Sequence, residues 1–196
     1  MIPETLGLIL FIVTMVASPG PANVVLFALG TKQSIKRSIP FIISVVLSKQ
    51  LIIWPIGLGI MITDNISNQY QLAMNVISLF FILWIGYKIV MMDFSLSNSP
   101  ESWSPKFYHG LMVHPMNPKA WLMVSLSFTA YHKSDVTLLT IPGIAVTFLF
   151  IQLLFHTVWF SAGSLLRKSE VIEKKKNLVK LILIVSLVAS IIFTYN

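Results

Sequence analysis

The chain has 196 residues, of which 56% are hydrophobic and 11% charged, with a mean hydropathy of +0.82. A soluble domain carries about a quarter charged residues, so this composition predicts a membrane protein. The absence of cysteine excludes disulfides, thiolate chemistry and cysteine-based metal sites. The net charge of +7 reads as basic loops facing anionic lipid and cytoplasm, not as a nucleic-acid surface.

The first apolar segment, residues 6–29, follows Glu4 with no Lys or Arg ahead of it, unlike the basic start of a signal peptide. It is interrupted by Ser18-Pro19-Gly20-Pro21-Ala22-Asn23. Pro19 and Pro21 remove two N–H donors and Gly20 relaxes the backbone, which is tolerable in hydrocarbon only where neighbouring helices or a polar cavity satisfy the freed groups. The interruption is either a discontinuous helix lining a solute path, as in many secondary transporters, or a kink or short re-entrant start. A basic loop at 31–38 leads to a second span, 39–63, with Lys49 near its middle. A polar loop at 64–71 precedes a third span, 72–92, whose final Trp84, Tyr87 and Lys88 suit a membrane interface. Residues 93–106 form the longest loop. The fourth segment, 107–130, is broken in its first half by His114-Pro115-Met116-Asn117-Pro118-Lys119. A turn at 131–135, a fifth span at 138–163, a basic stretch at 167–177 and a sixth span at 178–195 complete the chain.

Loops and span ends on one side of these six spans hold 11 of the 14 Lys and Arg residues, so the positive-inside rule puts both chain ends outside. Pro19, Pro21 and Asn23 in the first half are matched by Pro115, Asn117 and Pro118 in the second. Three spans per half would make equivalent elements cross in opposite directions. The expected fold is therefore an all-α polytopic membrane protein, a single membrane domain over 1–196. Its six transmembrane helices form two three-helix inverted repeats, 1–92 and 107–196, joined by a cytoplasmic loop at 93–106, with helices 1 and 4 broken. The alternative is a coincidence of two proline-rich interruptions.

Ser18 to Asn23 resembles the SPGPNN motif of the LysE/RhtB family of amino-acid exporters, with Ala22 in place of the first Asn. Asn117-Pro118-Lys119-Ala120 is similar to that family's NPKA motif, with Phe107 and Gly110 a short distance before it, and residues 80–87 resemble the end of its third helix. The resemblance extends over nearly the whole chain. It implies a bacterial inner-membrane exporter of amino acids or related small metabolites, driven by the proton-motive force. It carries over no particular substrate.

Candidate substrate-binding residues are Ser18, Gly20, Asn23, Asn117 and Lys119. The amides of Asn23 and Asn117 have the donors and acceptors to bind an amino acid, or else they satisfy backbone groups released by the prolines. Pro19, Pro21, Pro115 and Pro118 shape the breaks. Lys119 either attracts a carboxylate and changes protonation during transport, or snorkels to the cytoplasmic face as an anchor. Lys49, His114 and His156 are candidates for proton coupling, with helix-to-helix hydrogen bonding as the alternative for the histidines. No Asp or Glu falls within a span. That disfavours a strongly cationic substrate and favours a neutral zwitterion or an anion, and it leaves no intramembrane carboxylate for a proton relay. The tryptophans suit packing or interfaces, and Gly57, Gly59, Ser44 and Ser48 suit close helix contacts.

No convergent nucleophile, acid/base set or metal-ligand cluster points to an enzyme, a metal or another cofactor. The expected partners are an amino acid or related metabolite, protons and membrane lipids. Lipid-facing surfaces also leave room for a homodimer. A channel for small polar solutes, or a helical membrane module without transport, remains the competing reading.

Overall fold

A computed structural model describes residues 2–62, 105–129 and 138–167, together with single positions at 80, 87, 177, 178, 181, 182, 184, 185 and 188. Among the described residues all regular structure is α-helical: α1 Ile2–Ala17, α2 Pro21–Lys32, α3 Ile35–Ser48, α4 Gln50–Ile62, α5 Phe107–Val113, α6 Pro118–Thr129 and α7 Thr140–Arg167. The expected third and sixth spans, the loop at 64–71, the turn at 131–135 and all but the last two residues of the loop at 93–106 lie outside the described residues apart from those single positions.

Residues 35–59 and 140–166 form helical stretches of 25 and 27 residues, apolar enough to cross a membrane, where about 20 residues are needed. The α1–α2 pair, bent by 49° at its break, makes a third if it is one span. Pro21 is the first residue of α2 and Pro118 the first of α6, where a missing N–H costs nothing and the fixed φ suits a helix start.

The α7 helix organises the rest, packing against α1, α2, α3 and α4. Its contact with α2 is backbone-close. A Cβ at Gly30 would collide with the Phe160 carbonyl oxygen, and one at Gly163 with the Phe27 carbonyl oxygen. Helices meet this tightly only where small residues let the backbones approach. Gly110 does the same for α5 on α3, against Ser44 and the Phe41 carbonyl. Of the two glycines expected at helix contacts, Gly57 abuts Ile141 and Phe128, whereas Gly59 faces open space.

The apolar interior divides in two. Val24, Leu26, Leu29, Phe41, Val45, Val113 and Phe160 make one cluster; Ile12, Val16, Ile52, Ile53, Val124, Phe128, Ile141 and Phe148 make the other. Between them runs a polar layer. Along α7 the buried stripe reads Phe148, Gln152, His156, Phe160, each at helical i,i+4 spacing, so its polar members fall at the boundary of the two clusters. Lys49 lies between Val45 and Ile52 in the same way. Meanwhile Leu10, Leu51, Trp54, Phe150, Leu154 and Leu165 are exposed. Polar residues inside and large apolar residues outside are what a lipid solvent demands.

Candidate functional site

The first break keeps its backbone satisfied carbonyl by carbonyl. In a continuous helix the Met15 and Ala17 carbonyls would accept from residues 19 and 21, which are prolines. Instead Ser18 Oγ donates to Met15 O (2.8 Å) and Trp159 Nε1, from α7, donates to Ala17 O (3.0 Å). Asn23 Nδ2 donates to both Val16 O (2.7 Å) and Ser18 O (2.8 Å). Lys119 Nζ donates to Pro19 O (3.1 Å), and Val24 N–H to Gly20 O (2.9 Å). Gly20 itself is fully extended (φ −175°, ψ 172°) and provides no side-chain cap for α2. Every carbonyl from Met15 to Gly20 therefore has a donor, five of the six from side chains, which is the condition for a broken helix in an apolar setting.

The second break is closed by similar means. Asn117 Oδ1 accepts from the Lys119 N–H (3.1 Å), as an N-cap does for the first turn of a helix. Trp121 Nε1 donates to Pro115 O (2.8 Å) and the Asn117 N–H to His114 O (2.9 Å). From this capped start the Lys119 side chain reaches the first break. Its ammonium donates to Ser18 Oγ (2.5 Å) as well as to Pro19 O, joining residues 101 apart in sequence. Lys119 is buried, with 8% of its surface exposed, so its charge is held among dipoles and not in water.

A third interruption, at Lys49, is absent from the sequence expectations. The Val45 carbonyl, which the Lys49 N–H would meet in a continuous helix, accepts instead from Ser48 Oγ (2.7 Å) and from His114 Nδ1 (2.9 Å) on a distant segment. The Lys49 N–H turns to Leu47 O, and the Lys49 carbonyl accepts from both Ile52 and Ile53. Lys49 is 1% exposed, and its ammonium is buried with it. It contacts Met123 Sδ (3.3 Å) and lies 5.1 Å from the centre of the Phe148 ring, a soft environment with little hydrogen-bond capacity for a cation.

His114 and His156 come together, their rings stacked with centroids 5.7 Å apart. The tautomers follow from their partners. Because the Asn23 amide NH2 is committed to two carbonyls, its Oδ1 faces His156 Nδ1 at 2.9 Å and must accept from it. His156 Nε2 is then an acceptor, and Gln152 Nε2 donates to it (3.3 Å) and to His114 Nε2 (3.1 Å). His114 is thereby an Nδ1–H donor, matching its contact with the Val45 carbonyl. A connected set of hydrogen bonds thus runs from the Lys49 interruption through His114, Gln152, His156 and Asn23 to the first break.

Ser18, Asn23, Lys49, His114, Asn117, Lys119 and His156 lie on or beside this polar layer. Asn23 and Asn117 satisfy backbone groups, Lys119 joins the two breaks, and Ser18 receives it. Sequence reasoning missed Gln152 and the backbone-satisfying role of Trp159. The available signal for Gln152 was its i,i+4 spacing from His156 on an otherwise apolar helix. No protein-family model, no curated protein and no solved structure matches this chain.

Proposed function

We propose that this protein is a secondary transporter that exports an amino acid or related small metabolite from the cytoplasm, driven by protons, with a neutral amino acid favoured. The observation that carries the reading is the Lys119 bridge, which places two proline-broken segments face to face around one buried ammonium. Broken helices in transporters present unpaired backbone and positive helix ends to anionic groups at the protein centre. Here the substrate carboxylate would replace Pro19 O and Ser18 Oγ as the acceptor for Lys119, near the uncapped start of α2 at Gly20. Asn23 and Asn117 would line that site by holding its walls.

The six-span, two-repeat organisation in a bacterial inner membrane, with both ends outside, belongs to the same proposal. Pairing exchange between the halves supports it. The α2 helix that follows the first break packs on α7, and the α6 helix that follows the second packs on α4. The absence of carboxylates from residues 6–62, 105–129 and 138–167, beside two buried lysines, argues against a cationic cargo.

Efflux from preloaded proteoliposomes, across a panel of neutral, basic and acidic amino acids with and without a proton gradient, tests the proposal. Saturable, gradient-dependent movement of a neutral amino acid is the expected result. Non-saturating conductance would replace the carrier with a channel, and selective movement of lysine or arginine would overturn the charge argument.

A further inference from the structure

The polar layer contains one imbalance. Gln152 Oε1 is buried without a hydrogen-bond partner and is alone in this among the side-chain atoms of the described residues. Its own amide nitrogen, by contrast, serves two imidazole acceptors, His114 Nε2 and His156 Nε2. An amide set between two imidazoles uses both its ends only when one ring presents an N–H and the other a lone pair. The neutral cluster offers two lone pairs, so it is one proton short of complete pairing. Leaving a buried acceptor unpaired is costly, and a single added proton would pair it.

We propose that His114, Gln152 and His156 form a one-proton binding site, with the Gln152 amide as the bridge between the two rings. This rests on the carrier reading for its purpose, though not for its existence. The incoming proton binds Nε2 of His156, taking the cluster from neutral to +1, and no proton leaves. Gln152 turns so that Oε1 accepts from the new N–H while its NH2 continues to donate to His114 Nε2. His156 Nδ1–H, now part of an imidazolium, makes a charge-assisted bond to Asn23 Oδ1. Asn23 in turn holds the Val16 and Ser18 carbonyls. Occupancy of the proton site is therefore transmitted to the first break through one side chain.

The charged groups around the pair set its capacity. Lys49, from the α3–α4 junction, acts electrostatically on both rings, and Lys119, from α6, acts on Lys49. No Asp or Glu lies in residues 6–62, 105–129 or 138–167. With like charge nearby and no counter-charge, the pair takes one proton and not two.

The test is 15N NMR of histidine-labelled full-length protein in lipid bilayers, which separates imidazolium from the two neutral tautomers without any substrate. At the alkaline end of the range from about pH 5 to 8, His114 and His156 should both read as Nδ1–H tautomers. At the acid end one of the two should become imidazolium and the other remain neutral. Gln152→Leu should lower the imidazolium population at least tenfold at matched pH. Should Gln152→Leu not fold, Gln152→Glu provides a second arm: its carboxylate supplies the missing counter-charge, so the single imidazolium should persist to the alkaline end of the range. Two independently titrating histidines, no proton uptake by either, or an unchanged spectrum in both Gln152 variants would overturn the proposal. Efflux of the panel amino acids is measured separately, so a failed carrier leaves the NMR result standing, and the converse also holds.

Discussion

Asn23→Ala is expected to destabilise the protein by about 3 kcal/mol or more, well beyond the effect of a typical polar truncation. The substitution strands three buried groups together: the Val16 and Ser18 carbonyls and the Nδ1–H of His156. Each buried polar group left unpaired costs about 1–3 kcal/mol, and water has poor access to a site where Asn23 is 4% exposed. Asn117→Ala provides the internal comparison. It removes a single cap to the Lys119 N–H, and lost caps cost about 1 kcal/mol. Thermal unfolding in detergent, followed by tryptophan fluorescence, measures both, since Trp159 is bonded to the first break at Ala17. If Asn23→Ala proved no less stable than Asn117→Ala, the accounting of the break would be wrong.

Lys119→Met is expected to separate function from folding. The unbranched thioether keeps much of the volume of the lysine stem while removing the charge, and Ser18 Oγ retains its bond to Met15 O. Pro19 O loses its donor, and Ser18 Oγ loses the hydrogen bond it accepts. Gradient-driven efflux should fall by about 10-fold to 100-fold, in line with the 1.5–3 kcal/mol carried by a hydrogen bond to a charged group. Expression and unfolding temperature should change far less. Lys119→Arg should retain part of the activity, because it restores charge but not the compact ammonium that fits between Ser18 and Pro19. Wild-type efflux by Lys119→Met would remove this residue from the proposed transport site.

The breaks were legible in the sequence because proline and glycine act locally. Pro19 and Pro21 delete named donors, and Pro118 starts a helix wherever it sits in an apolar run. What closes the breaks was not legible, because each partner comes from elsewhere in the chain. Asn23 meets His156 at a separation of 133 residues and Lys119 meets Ser18 at 101. The interruption at Lys49 has no proline or glycine to announce it. Its physical reason is tertiary: His114, 69 residues on, joins Ser48 in occupying the Val45 carbonyl. The close glycine contacts were similarly hidden. Gly59 has the same local setting as Gly57 yet a Cβ there would meet open space, whereas one at Gly30 or Gly163 would meet a carbonyl oxygen, because only the docked pair of α2 and α7 defines which face must be bare.

The central claim is that the two proline-broken segments face one another across Lys119, and it is tested most directly by cross-linking in native membranes. The chain has no cysteine, so Ser18→Cys with Lys119→Cys introduces the sole thiol pair. A lysine side chain is longer than a disulfide allows between backbones, which tolerate a Cα separation of at most about 7 Å, so the reagent is dibromobimane, which becomes fluorescent when it joins two nearby thiols. Intramolecular fluorescence in the double variant, with none in either single variant, is the predicted result. Two freely alkylated thiols and no fluorescence, in protein that still unfolds cooperatively, would contradict it.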